Sequence, residues 1–270
     1  MFKLITLSDS GYLPAGKMFF RTRDIINADV VLYGPSLTKK QLAILRRNKI
    51  TYESVDQYDW DTKMQYLKFD MCLEQIELDQ NKKYSGFTLS DLDVFFVNDW
   101  EHVYKYDFDF AIITRPDYIK RRILRSYGCG GGFFFKHSAK PLFEFGKKVM
   151  LNGGDKSLPE YDRIWKTLET GRPAHKTHYR TSLRWWVDQI FISSIVLRFF
   201  EQNGYRKIGL EPIFTNFRGL KIAFFSTKYY NVLDSKPVIK KEKNIYIRHL
   251  KHIGRDRMLG KNKIVVKEKL

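Results

Sequence analysis

Two aspartates, Asp91 and Asp93, stand two apart in "TLSDLDVFF" (88–96), with apolar residues on both sides. Carboxylates are expensive to desolvate unless they are paired, hydrogen-bonded or bound to a cation. An Asp-x-Asp that ends an apolar run presents hard oxygen ligands toward one point. Mn²⁺ or Mg²⁺ suits such ligands, with water and phosphate oxygens completing the sphere. The tripeptide is a common one, and a turn or a helix N-cap built on either aspartate competes with this reading. The apolar context, "GFTL" before and "VFF" after, favours a pair held in structure.

Other residues have types that fit the same chemistry. In "TLSDSGY" (6–12), Asp9 offers a hydrogen-bond acceptor and Tyr12 a flat aromatic face. Lys68, in "MQYLKFD", can reach phosphates unless it is an ordinary solvated helix charge. Asp188 precedes an apolar helical stretch, where it can serve as a general base or as an N-cap. The basic segment "IRHLKHIGRDR" (247–257) offers His249 and His252 as nitrogen ligands, beside Lys251, Arg255 and Arg257. Cys72 and Cys129 form neither a disulfide framework nor a zinc spacing. "HKTHY" (175–179) lacks the Cys or Glu a zinc site would need, and reads as surface or acceptor side.

The elements that must position these groups alternate. Strands are expected at 3–9, 29–34 and 50–55, with helices at 38–48 and 59–79. Thr38 is a plausible N-cap of the first helix, and positions 64, 67, 71 and 75 set the spacing of the second. "GFTLSDLDVFFV" (86–97) reads as one core strand interrupted by the aspartates. Later expectations are a strand at 109–115, a glycine cluster running into an aromatic strand at 128–138, and helices at 140–153 and 185–204. Residues 153–184 read as loop, and a late strand opens 243–257. Strand–helix alternation implies an α/β fold: a mixed, mainly parallel sheet flanked by helices, in a single domain over 1–270. Ligands in such sheets lie beyond the carboxyl ends of the strands, where "LSD" and "SDLD" both fall.

The order of these motifs resembles that of GT-A-fold nucleotide-sugar glycosyltransferases of the D-x-D type, the glycogenin and lipopolysaccharide-galactosyltransferase superfamily. "GGGFFF" (130–135) is similar to a small-residue segment that lies beside sugar and acceptor there. "WWVDQIFIS" (185–193) resembles the segment whose acidic or amide side chain lies near the reacting carbon. "HLKHIGRDR" resembles a C-terminal loop that covers the diphosphate. The resemblance implies metal ligation by Asp91, Asp93 and His249, with His252 as the alternative imidazole. It implies nucleotide or diphosphate contacts from Thr6, Leu7, Ser8, Asp9, Tyr12, Lys68, Asp91, Lys251, Gly254 and Arg257. Asp188 and Gln189 become the catalytic candidates: general base in an inverting enzyme, nucleophile or stabiliser in a retaining one. Trp185 and Trp186 offer a sugar-stacking face or plain core packing. The implied cofactors are Mn²⁺ or Mg²⁺ and a nucleotide-sugar donor, UDP-linked by preference.

The chain carries a net charge of +18, and the charge is uneven. Residues 236–270 hold twelve Lys/Arg against three acids, and 115–148 hold nine against two. Such a field attracts anions, so an anionic or membrane-associated glycan acceptor is the expected partner. Two alternatives follow from the same charge: transfer onto modified DNA, or a non-catalytic nucleic-acid-binding protein. The chain shows no helix-turn-helix, zinc-finger or RNA-recognition signature. A sugar nucleotidyltransferase would open with a glycine-rich phosphate loop, which "LSDSGYLPAGK" fits poorly. The opening residues lack the features of a signal peptide, and no apolar stretch reaches the length of a membrane span. The expected location is therefore cytoplasmic, with peripheral attachment to a membrane surface as a variant.

Overall fold

The computed structural model describes residues 1–8, 13–55, 60–115, 127–151, 157–170, 187–204, 206–234 and 243–250. The first strands and helices are β1 (Phe2–Leu7), α1 (Lys17–Thr22), β2 (Ala28–Gly34), α2 (Lys39–Arg47), β3 (Ile50–Ser54) and α3 (Trp60–Leu78). β4 (Phe87–Ser90), β5 (Val94–Phe96), β6 (Phe110–Thr114) and β7 (Gly128–Phe135) follow. Then come α4 (Lys140–Leu151), α5 (Pro159–Thr170), α6 (Val187–Asn203), β8 (Ile213–Phe217) and β9 (Leu220–Ser226). The last described elements are α7 (Thr227–Tyr230), β10 (Val232–Asp234) and β11 (Ile247–Leu250).

The main sheet runs β3-β2-β1-β4-β7-β6-β9-β8. The pairs β3–β2, β2–β1, β1–β4 and β6–β9 are parallel. β4–β7, β7–β6 and β9–β8 are antiparallel. The fold is therefore α/β with a mixed, mostly parallel sheet flanked by helices, an arrangement compatible with Rossmann-like folds. A second sheet, β10-β11-β5, has its own strand pairing and packs on one face of the first.

Strand alternation sends each side chain to one of two cores. Ile5, Val31, Leu89, Ile112, Phe133 and Phe224 face the side covered by α3, α4 and α6. Leu4, Leu32, Ile113, Phe134 and Phe225 face the side covered by α1, α2 and β5. On the first side Phe69 packs edge-on against Phe143 and Phe191, with ring centroids 5.1 and 5.6 Å apart. These contacts tie α3, α4 and α6 together. Gly146 makes room for them, since a Cβ there would lie 2.4 Å from the Phe69 ring.

Several expectations are corrected. Residues 86–97 are two strands in two sheets, because the chain leaves the main sheet at Ser90 and joins the small one at Val94. The segment 153–184 contains a helix, α5, whose Tyr161 and Ile164 are buried at helical spacing. The glycine cluster does not merely run into the aromatic strand but is the first half of it, β7, whose register on β6 shifts between Ile112 and Thr114. Position 75 in the α3 stripe is a buried glutamine, which donates to the Tyr33 hydroxyl. The hairpin β8–β9 stands where the sequence signalled no strand. The Thr38 cap is present as a full capping box with Gln41. Among the described residues no helix is long and apolar enough to cross a membrane.

Candidate metal centre at the sheet edge

In the main sheet β1 is followed in sequence by β2 and β3 on one side, while β4 lies on its other side. The reversal between β1 and β4 opens a crevice beyond their carboxyl ends, the favoured ligand position in open α/β sheets. Small side chains end the strands on this edge: Ser8, Gly34, Ser90, Thr114 and Ser226. The chains close tightly there, since a Cβ on Gly34 would meet the Ser8 carbonyl oxygen at 2.5 Å.

Asp91 and Asp93 sit at the corner between the two sheets. Leu92 between them is 1% exposed and points into the core. It packs on Gly16, at the end of the short 3-10 turn Leu13–Gly16, where a Cβ would lie 2.8 Å from Leu92 Cγ. A buried leucine thus pins the corner and leaves the flanking carboxylates above it. This answers the apolar–acidic alternation of the sequence: Leu92 anchors, and the aspartates flank the anchor.

The third group comes from a distant part of the chain. In the antiparallel pair β5–β11, His249 stands opposite Val94. That register brings His249 Nε2 to 3.1 Å from Asp93 Oδ1. One donor atom from each of Asp91, Asp93 and His249 lies within 4.8 Å of the others. Asp91, Asp93 and His249 would be the residues to hold a divalent cation such as Mn²⁺ or Mg²⁺, which would supply Lewis-acid charge at this edge. The donor types fit, with two carboxylates and one imidazole. His249 Nδ1 is buried and has no hydrogen-bond partner among the described residues. Burial opposes charge on the His249 ring, but the hydrogen bond and charge of Asp93, with Asp91 behind it, hold its pKa above the usual histidine value. The structure thus places an imidazole where a cation is electrostatically welcome. Arg115, just past β6, acts on the ring in the opposite sense.

Lys68 joins this corner to α6. Its ammonium lies 3.1 Å from Asp188 Oδ2 and 3.6 Å from Asp91 Oδ1. Asp188 is 1% exposed, and its other oxygen accepts from the Gln189 amide at 2.7 Å. Burial pushes the Asp188 pKa up, and Lys68 resists that shift. Asp188 and Phe191 share a helix face, so the Phe69–Phe191 contact also sets Lys68 against Asp188. α6 comes this close because β7 begins with glycine: a Cβ on Gly128 would stand 2.4 Å from Ile192 Cγ2. The Gly128 amide donates to Ser193 Oγ at 3.1 Å.

The structure therefore brings together Asp91, Asp93, His249, Lys68, Asp188 and, beside it, Gln189, which is 8% exposed. Ser8 is buried at the end of β1, and its amide donates to the Tyr33 carbonyl at 2.9 Å. Thr6 is fully buried within β1, and Leu7 packs on the core beneath α3, α4 and α6. Asp9, Tyr12, His175, His178, Trp185, Trp186, Lys251, His252, Gly254, Arg255 and Arg257 lie outside the described residues. Sequence reasoning missed Arg115 and Asn231. Arg115 follows an entirely buried strand as abruptly as Asp91 does, and that signal was legible. Asn231 is buried beside Gly132, which pairs with Ser90, and only tertiary structure reveals it. A scan of the chain against protein-family models gives no match, and a search among curated proteins gives none either.

Proposed function

We propose that the chain is a metal-dependent glycosyltransferase of the GT-A type. It would move a sugar from a nucleotide-diphosphate donor, UDP-linked by preference, to a saccharide or glycoconjugate acceptor. One observation carries the reading. Two carboxylates from the corner between β4 and β5 and an imidazole from the distant strand β11 converge at the carboxyl edge, beside the crevice between β1 and β4. A divalent ion held by Asp91, Asp93 and His249 would supply Lewis-acid charge to the departing diphosphate.

The remaining steps fall to the chain's own residues. In the reaction the bond from the sugar's anomeric carbon to the diphosphate oxygen breaks. A bond to the acceptor oxygen forms, and the acceptor hydroxyl loses its proton. Lys68 brings a fixed positive charge beside Asp91, where it meets the donor's negative charge. Asp188 keeps that ammonium in place. Its raised proton affinity also suits it to accept the acceptor's proton in an inverting reaction. In a retaining reaction Asp188 or Gln189 would instead lie under the anomeric carbon, and the acceptor's proton would pass to the departing diphosphate oxygen. Gln189, anchored in the first turn of α6, adds a neutral amide that can hold a sugar hydroxyl.

Thermal denaturation with UDP, GDP and their sugar conjugates, with and without Mn²⁺, tests the proposal. The expected result is Mn²⁺-dependent stabilisation by one nucleotide, lost in the Asp91→Ala/Asp93→Ala variant. Lack of stabilisation by every nucleotide would return the two aspartates to a structural role.

A further inference from the structure

Helix α2 presents an unusual face. Between Asp29 and Glu53 the sequence contains no acidic residue, while Lys39, Lys40, Arg46, Arg47 and Lys49 fall within it. Lys39 and Arg46 are seven residues apart, and so are Lys40 and Arg47. Seven residues make two turns, so each pair shares a side of the helix about 10 Å apart along its axis. All five cations are exposed, and Ala43 lies exposed within the array. Ile44 stands at its rim with 36% of its surface exposed. The opposite side holds the helix to the protein: Leu45 is 1% exposed in the core beside Ile50 and Leu32. The capping box at Thr38 fixes the first turn.

Elsewhere on the surface five cations are paired: Lys83 with Asp29, Lys140 with Glu77, Lys147 with Asp70, Arg163 with Glu201 and Lys221 with Asp107. Among the described residues, none of the five cations of α2 and its C-terminal end has an anionic partner. Five like charges on a short, rigid element repel one another unless an external anion neutralises them. The site described above makes no use of them.

We propose that the outer face of α2 docks the protein on an anionic lipid surface. Charge complementarity selects an anionic partner, and the accompanying side chains select lipid. The exposed groups among the cations are Ala43 and Ile44, which suit the boundary between headgroups and acyl chains. The face carries no aromatic ring to stack on a base, and Gln41 is engaged in the cap. The first turn of α2 follows β2, so it begins at the same sheet edge as Asp91. A bilayer on this face would reach the rim of that edge. The binding claim does not rest on the transferase reading, since the test contains neither nucleotide nor metal.

The test is sedimentation with vesicles of phosphatidylcholine, with and without phosphatidylserine, in chelator and at near-physiological salt. Each cation near such a surface is worth about a five-fold change in partition, so Lys39→Gln/Lys40→Gln/Arg46→Gln/Arg47→Gln is expected to reduce binding roughly 100-fold or more. The control removes the same charge from exposed sites elsewhere: Lys105→Gln/Arg206→Gln/Lys207→Gln/Lys228→Gln. It is expected to lose far less. All eight positions are exposed, and unchanged thermal melting checks that both variants fold. Ile44→Ser is expected to weaken binding while leaving its salt dependence unchanged. Failure of the wild-type protein to bind phosphatidylserine vesicles would overturn the proposal. So would equal losses in the two quadruple variants, which would assign the affinity to net charge alone. A third contrary result is an α2 variant that keeps vesicle binding but no longer binds a short DNA duplex, which would make the face a nucleic-acid contact.

Discussion

The claim that Leu92 pins the aspartate corner can be tested by a double-mutant cycle with Gly16. Gly16 has φ −74° and ψ 3°, a conformation open to alanine, so Gly16→Ala introduces no backbone strain. Its new methyl would lie 2.8, 2.9 and 3.0 Å from Leu92 Cγ, Cδ2 and Cδ1. Overpacking of this kind costs about 1–3 kcal/mol, partly offset by about 0.4–1 kcal/mol from a stiffer unfolded chain. Leu92→Ala removes a side chain that is 1% exposed, and is expected to cost about 2–5 kcal/mol through lost burial and a cavity. In the double variant the clashing atoms are gone and the new methyl fills part of the void. Its destabilisation should therefore fall short of the sum of the single variants by about 1–2 kcal/mol. Urea denaturation of the four proteins measures this coupling. Mn²⁺ titration of the same set is expected to show weaker binding in both single variants, because each moves the corner that carries Asp91 and Asp93. Additivity within about 0.5 kcal/mol, with unchanged Mn²⁺ affinity, would refute the role given to Leu92.

Two further outcomes follow from the charges around the site. The His249 pKa is raised in the folded state from its ordinary 6.5, so the protonated ring stabilises the metal-free protein most fully below about pH 6.5. That contribution is lost as pH climbs through the raised value, and His249→Gln should remove it from a stability–pH profile taken in chelator. Mn²⁺ needs the deprotonated ring, so its apparent affinity in the wild type should rise over the same window. Lys68→Met leaves Asp188 buried without its counter-charge, at an expected cost of about 3–5 kcal/mol by chemical denaturation at neutral pH. This loss should shrink as pH falls, because burial already favours the protonated form of Asp188. Asp188→Asn in the same background should recover part of it.

The first half of the fold was legible because its signals are local. Thr38 and Gln41 announce a helix start, and "DVVLYG" carries its own stop at Gly34-Pro35. Asp91 and Asp93 were legible as a pair, but the sequence reads Ser90 and Val94 as one strand. Apolar residues on both sides of the aspartates carry no mark of which sheet each half joins. The pairing of His249 with Asp93 depends on the register of β11 against β5, a contact between distant segments that no local pattern encodes. In the sequence Lys68 and Asp188 stand as separate phosphate and catalytic candidates. Their mutual ion pair appears only once Phe69 and Phe191 pack together. Helix α5 was hidden because its flanks are polar, and the hairpin β8–β9 because "IFTNFRGLKIAFFS" mixes polar residues into short strands.

The account rests on Asp91, Asp93 and His249 acting as the metal centre of a sugar transfer. The most direct measurement is release of UDP from UDP-sugars by the full chain in Mn²⁺, compared with chelator and with Asp93→Asn. The account predicts turnover that requires Mn²⁺ and is abolished by the substitution. UDP release that persists in chelator or in Asp93→Asn would contradict it.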